Sequence, residues 1–224
     1  GAGDDTLDGG AGVDTADYSS AANAVTVNLA TNSATGDGTD VLTNIENIIG
    51  SDFNDSLTGD ANANTILAGS GDDILVGGAG DDALDGGAGV DTVDYSSAAN
   101  GVVVNLAANS ATGDGTDVLT NIENITGSDF NDSLTGDANA NTILAGSGDD
   151  TLVGGAGDDT LDGGADVDTA DYSTAASSVV VNLATNSATG DGTDVLINIE
   201  NITGSDFNDT LTGDANANVL SAGS

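Results

Sequence analysis

Single aliphatic residues recur along the chain at a fixed interval of nine. Ile48, Leu57, Ile66, Leu75, Leu84 and Val93 form one such run. Each stands two positions after an acidic or amide residue: Glu46, Asp55, Asn64, Asp73, Asp82 and Asp91. The residues between them are mostly Gly, Asp, Asn, Ala, Ser and Thr. A period of nine matches neither the 3.6-residue helix nor the alternation of a long strand. It predicts a three-residue strand with one inward aliphatic side chain, followed by a six-residue turn. Two such units make one 18-residue coil of a flattened solenoid. The expected fold is all-β, with strands stacked in parallel.

A longer period encloses the short one. DYSS or DYST begins at Asp17, Asp94 and Asp171, and NIEN begins at Asn44, Asn121 and Asn198, both in steps of 77. Residues 1–77 and 78–154 match at 70 of 77 positions, and 155–224 is a third, shorter copy. The chain begins and stops inside a motif and reads as a window of a longer tandem array. One continuous solenoid of 1–224 is expected, because repeats at such periods bury a core by stacking. Tyr18 to Ile49 reads as one coil enlarged by five residues, from Asp14 to Asp37. On that count each repeat holds four whole coils and leaves the next in the same orientation. Val25, Val27 and Leu29 alternate like a longer strand, and the segment from Ser33 to Gly38 reads as a bulging loop.

Charge narrows the function classes. The chain has 38 acidic residues and no Lys, Arg or His, for a formal net charge of −38. Nothing here can neutralise phosphates, so nucleic acid and anionic membrane surfaces are poor partners, and neither nucleic-acid binding nor membrane insertion is expected. Without His or Cys there is no zinc site, no Ser-His-Asp triad, no thiol nucleophile and no disulfide. No apolar run reaches the ~18 residues of a membrane span. Composition alone is compatible with a disordered acidic polymer. No side-chain carboxylate has a cationic side-chain partner, so folding calls for cations from outside.

The loops supply the chemistry for such ions. Gly allows the positive φ of a tight turn and lets carbonyl oxygens face a common centre, and calcium takes six to eight oxygen ligands. Half-coils alternate sides, so each loop stacks on the loop two units further along. One edge should carry Asp37, Asp55, Asp73 and Asp91, and the other Glu46, Asn64 and Asp82. Two carboxylates ~5 Å apart repel by about 1 kcal/mol in water and about 3 at an effective dielectric of 20. A ladder of them should close only with a divalent ion between rungs.

GGAGDDALD from Gly77, GGAGVDTVD from Gly86, and the units from Gly154 and Gly9 resemble the repeats-in-toxin (RTX) pattern Gly-Gly-x-Gly-x-Asp-x-aliphatic-x. GSDFNDSLT from Gly50 and AGSGDDILV from Ala68 are looser versions, and the unit from Gly163 has Asp166 where Gly is usual. The resemblance implies a right-handed parallel β-roll that binds several Ca2+ ions per repeat. It implies a side-chain ligand at the sixth loop position: Asp5, Asp14, Asp55, Asp73, Asp82, Asp91, Asp132, Asp150, Asp159, Asp168 and Asp209. Asp37, Asp114 and Asp191 stand beside the bulge, and Glu46, Glu123 and Glu200 extend the same register. Asn64, Asn141 and Asn218 read either as weaker ligands or as a metal-free amide ladder. Loop carbonyls complete the sphere, with Gly71, Gly78, Gly80, Gly87, Gly89, Gly148, Gly155 and Gly157 as candidates. One Tyr and one Phe per copy read as packing over the widened coil.

Near-identical long repeats supply length and stiffness, whereas an active site is needed once. The chain therefore reads as a non-enzymatic, calcium-stabilised structural rod, a stalk, spacer or filament segment of a secreted adhesin or matrix protein. Further copies of the repeat, end to end or in a filament, are the expected partners. The resemblance implies an extracellular or cell-surface location in a bacterium. The alternative is an accessory calcium-binding module of a secreted toxin, protease, lipase or epimerase.

Overall fold

A computed structural model describes residues 1–223. Among them every regular element is a short strand, apart from one 3-10 turn at Leu183–Thr185. The strands are β1 Thr6–Asp8, β2 Thr15–Asp17, β3 Thr26–Asn28, β4 Ser33–Thr35, β5 Thr39–Thr43, β6 Asn47–Ile49, β7 Ser56–Thr58, β8 Thr65–Ser70, β9 Ile74–Val76, β10 Ala83–Ala88 and β11 Thr92–Asp94. Then come β12 Val103–Asn105, β13 Ser110–Thr112, β14 Thr116–Thr120, β15 Asn124–Thr126, β16 Ser133–Thr135, β17 Thr142–Leu144, β18 Thr151–Val153, β19 Thr160–Asp162 and β20 Thr169–Asp171. The last are β21 Val180–Asn182, β22 Ser187–Thr189, β23 Thr193–Ile197, β24 Asn201–Thr203, β25 Thr210–Thr212 and β26 Leu220–Ser221.

The chain forms two compact units, Gly1–Tyr95 with Asn109–Ile122, and Ser96–Ala108 with the chain from Glu123 onward. In the first unit one sheet is ordered β1-β5-β4-β3-β7-β9-β11 and the other β2-β6-β8-β10-β14-β13. In the second, one sheet is ordered β15-β17-β19-β23-β22-β21-β25 and the other β12-β16-β18-β20-β24-β26. Consecutive nonapeptides alternate between the two sheets, so each strand of the plain array pairs in parallel with the strand one full coil away. Thr65, Ile66 and Leu67 face Ala83, Leu84 and Asp85, and Ser56, Leu57 and Thr58 face Ile74, Leu75 and Val76. This is a parallel β-roll.

The one-aliphatic-per-half-coil rule makes the core. Ile48, Leu57, Ile66, Leu75 and Leu84 are at most 1% exposed. Their strands' register stacks Ile48, Ile66 and Leu84 in one row and Leu57, Leu75 and Val93 in the facing row. Each such burial stabilises by about 1.5–3 kcal/mol, while a three-residue strand fixes little backbone. The turns between strands are tight because glycine leaves room for the coil beneath. Gly78 (φ +88°) and Gly89 (φ +148°) sit in conformations that side chains avoid. A Cβ on either would collide with a backbone oxygen of the preceding coil, that of Asp60 or Gly71.

The enlarged coil departs from the sequence expectation in three ways. There is no longer strand at Val25–Leu29, only β3. The expected loop at Ser33–Gly38 contains β4, which pairs antiparallel with both β3 and β5 and so sits between them in the sheet. The coil count also changes. β2 stacks directly on β6, with Thr15 opposite Asn47, so the whole excursion between them belongs to a single coil. The repeat therefore spans seven half-coils rather than eight, and successive copies enter on opposite sheets. Leu7 lies in the sheet of β1, whereas its counterpart Leu84 lies in the sheet of β10. The step of nine between Asp37 and Glu46 is a coincidence of spacing and not a half-coil.

Candidate metal centre

The turns align their sixth-position residues into ladders. At each ordinary rung a backbone N–H donates to the carboxylate one coil later. Asp55 donates to Asp73 Oδ1 at 2.7 Å, Asp73 to Asp91 at 2.8 Å and Asn64 to Asp82 at 2.8 Å. In the second unit Asp132 donates to Asp150 at 2.7 Å, Asn141 to Asp159 at 2.8 Å and Asp150 to Asp168 at 2.9 Å. These aspartates are buried, yet most have only one oxygen satisfied. Oδ2 of Asp73, Asp82, Asp150, Asp159 and Asp168 is inaccessible and accepts no hydrogen bond, and Oδ2 of the half-buried Asp14 is in the same condition.

An ionised carboxylate oxygen cannot stay buried and unpaired at low cost. Its burial pushes the Asp82, Asp150 and Asp159 carboxyls up to about 6 and Asp168 up to about 7, and raises Asp73 as well. Neighbouring carboxylates add to the shift. Asp55 and Asp72 act on Asp73, and Asp117 and Asp60 act on Asp82. A hard divalent cation answers both problems, because it takes carboxylate and carbonyl oxygens together. Among the described residues no three carboxylates converge on one point. The remaining oxygens must then come largely from the backbone of the glycine turns. Gly71, Gly78, Gly80, Gly87, Gly89, Gly148, Gly155 and Gly157 all have positive φ. The oxygens of Gly71 and Gly80 face the turns of Gly89 and Gly115.

The model of the RTX calcium-binding nonapeptide repeat matches residues 1–20, 42–75, 58–93, 67–100, 120–152, 135–170 and 198–224, well over half of the chain. The chain belongs to the RTX calcium-binding nonapeptide repeat family. Its cofactor is Ca2+. No protein in the curated set matches it. The stretches that the RTX model leaves out, 21–41, 101–119 and 171–197, hold most of the antiparallel strands, β3 to β5, β13 with β14, and β21 to β23.

Within this RTX chain the expected ligands separate into groups. Asp73, Asp82, Asp150, Asp159 and Asp168 hold ladder positions with one oxygen unsatisfied, and Asp91 occupies the next rung after Asp73. Asp14 and Asp168 donate their N–H groups to Glu46 Oε2 and Glu200 Oε2 at 2.8 and 2.9 Å, so glutamate does stand on the register. Glu123 offers its carbonyl to Asn141 Nδ2 at 2.7 Å. The Asp5 side chain is exposed.

Asn64 and Asn141 fit the amide ladder. Asn64 Nδ2 donates to the Glu46 carbonyl at 2.7 Å, and its Oδ1 accepts from Asp60 N–H at 2.7 Å. Asn141 and Asn218 repeat this toward Glu123 and Glu200. The amide N–H bridges two coils where an aspartate would leave an oxygen in want of a cation.

Two groups of expected ligands are placed differently from these. Asp37, Asp114 and Asp191 are off the ladder, because the excursion delays the strand and Asp40, Asp117 and Asp194 take the position two before Leu42, Leu119 and Leu196. The backbone oxygens of the former three instead accept the N–H groups of Gly3, Gly80 and Gly157. Asp55, Asp132 and Asp209 are on the register, but both oxygens of each already have donors within the protein. Asp55 Oδ1 accepts from Val25 N–H and Ser51 Oγ, both at 2.7 Å, and its Oδ2 accepts from Ser51 N–H at 2.5 Å. Ser128 and Ser205 treat Asp132 and Asp209 in the same way.

Sequence reasoning missed Asp40 and its copies. Asp40 Oδ1 accepts from Asp5 N–H at 3.0 Å, and Oδ2 accepts from the Tyr18 hydroxyl at 2.9 Å. Tyr95–Asp117 and Tyr172–Asp194 repeat the contact at 2.8 and 2.9 Å. Burial and the facing carboxylate push all three phenols upward. The available signal was Asp40-Val41-Leu42, which has the same spacing as Asp5-Thr6-Leu7. The tyrosines are buried as expected, but Phe53, Phe130 and Phe207 are 44–51% exposed and do not cover the coil.

Proposed function

We propose that this chain is a segment of an extracellular, calcium-stabilised structural rod, in a stalk, spacer or filament of a secreted adhesin or matrix protein. The observation that carries the reading is the row of buried, half-satisfied aspartates in near-identical copies. The ion-requiring rungs recur from copy to copy, Asp73 as Asp150 and Asp82 as Asp159, and no copy carries a constellation of its own, among the described residues, that could serve as an active site. Asp73, Asp82, Asp150, Asp159 and Asp168 would hold calcium through Oδ2, joined by Asp14 and Asp91, with turn carbonyls completing each shell. Bound calcium supplies the positive charge that no side chain of this protein provides. Where calcium is scarce, the unpaired carboxylates oppose the coil and the chain remains exportable. Where it is abundant, binding to the folded state alone stabilises that state by mass action.

Circular dichroism during a calcium titration, with a chelator control, tests the coupling. A coil spectrum without calcium and a cooperative gain of β signal with it are expected. A fully folded chain at neutral pH in chelator would sink the proposal. Electron microscopy of the full-length product tests the mechanical half, where extended rods or filaments are expected and a compact particle would count against it.

A further inference from the structure

The first unit holds a place where one ladder stops and another starts on the same edge. The rung from Asp5 ends at Asp40, whose second oxygen takes the Tyr18 hydroxyl. Across β4 and β3, the next rung begins at Val25, whose N–H binds Asp55, and the second oxygen of Asp55 takes Ser51 N–H. From Asp55 the ladder runs on to Asp73 and Asp91. The carboxylates on either side of the excursion are 3% exposed, as buried as the ion-requiring ones, yet neither has an unsatisfied oxygen. The difference lies in the donors and not in burial.

We propose that the β3–β5 excursion is an ion-free break in the calcium array, closed on one side by the Tyr18 hydroxyl and on the other by Ser51, so that calcium loads in short separate ladders. This rests on the reading of the half-satisfied rungs as calcium sites. Tyr95–Asp117 and Tyr172–Asp194 close ladders in the same way, and Ser128–Asp132 and Ser205–Asp209 open them. A hydroxyl donating to a buried carboxylate does locally what the ion does elsewhere, since it supplies positive charge density to an oxygen shut off from water.

Calcium bound per chain at saturation, measured by equilibrium dialysis and metal analysis on the whole chain, decides this. Asp40→Asn, Asp117→Asn and Asp194→Asn together keep an acceptor for the tyrosine and should leave the count unchanged. Asp73→Asn with Asp150→Asn should lower it by about one ion per substituted rung. Loss of calcium in the first variant overturns the break. An unchanged count in the second overturns the calcium assignment of the rungs, so the two failures are distinguishable. Should the first variant not fold, Tyr18→Phe, Tyr95→Phe and Tyr172→Phe decide the matter. Stripped of their donors, the three aspartates should take up additional calcium or raise the calcium midpoint severalfold. An unchanged count and midpoint would overturn the proposal.

Discussion

The plain nonapeptide coils and the enlarged coil solve the same problem by different means. Both bury a carboxylate two residues before an inward aliphatic side chain, as Asp82 does before Leu84 and Asp40 before Leu42. In the plain coil one oxygen of that carboxylate is left without a donor, whereas in the enlarged coil Tyr18 or Ser51 fills the place. Burial by itself therefore does not mark a metal ligand in this chain. What separates the two kinds of rung is whether the protein itself satisfies the second oxygen. One donor separates the two outcomes, the Tyr18 hydroxyl at Asp40 and the Ser51 backbone N–H at Asp55.

The comparison breaks most completely when calcium is removed. The half-satisfied rungs then carry unpaired buried charge, and chelation should abolish the cooperative β signal in far-ultraviolet circular dichroism. Retention of the plain coils in chelator would remove the distinction between the two regions. Next in size is the core on which both depend. Leu75→Ala, in the calcium-saturated protein, should cost about 2–5 kcal/mol in denaturant unfolding, because its row cannot collapse around the cavity. Tyr95→Phe should cost about 1–3 kcal/mol by leaving Asp117 Oδ2 buried without its donor. A near-zero effect would mean that the hydroxyl does not replace an ion.

Acid sharpens the contrast from the other side. The Asp82, Asp150 and Asp159 carboxyls lie at about 6 and Asp168 at about 7 in the folded chain, against 3.8 ordinarily. Between pH ~4 and ~7 the metal-free folded state therefore binds protons that the unfolded state does not. Its stability should fall as pH rises through that window and recover on acidification to pH 4. Calcium binding should show the opposite trend, weakening as protons compete for the same oxygens. Circular dichroism in chelator at pH 4 and 7.5, beside calcium titrations at pH 5.5 and 7.5, checks both signs. The smallest expected effect comes from converting one kind of rung into the other. Asn64→Asp replaces an N–H that bridges to the Glu46 carbonyl with an oxygen that needs a cation. The calcium-saturated protein should gain about one bound ion and change little in stability, while the calcium midpoint rises slightly.

Much of the plain array was legible because it is local. The nine-residue spacing of Ile48 to Val93 implies alternating sides. The one-coil offset then places Asp55, Asp73 and Asp91 on one edge and Glu46, Asn64 and Asp82 on the other. Where the offset changes, that reasoning fails. β1 pairs with β5, β2 with β6 and β3 with β7, and each of these steps is longer than a plain coil. Asp37 keeps the nine-residue spacing to Glu46, yet the excursion strand and its turn hand that place to Asp40.

The sequence by itself determined the period, the inward aliphatic row, the all-β roll and the need for external cations, since each follows from short-range spacing or from a charge of −38 with no basic side chain. Only the tertiary structure decided which of many alike aspartates keep a buried oxygen without a donor. That depends on donors brought from afar, such as Tyr18 to Asp40 across 22 residues and Val25 to Asp55 across 30. The physical reason is that an oxygen's satisfaction is a property of its whole surroundings, whereas a repeat motif specifies only its own nine residues.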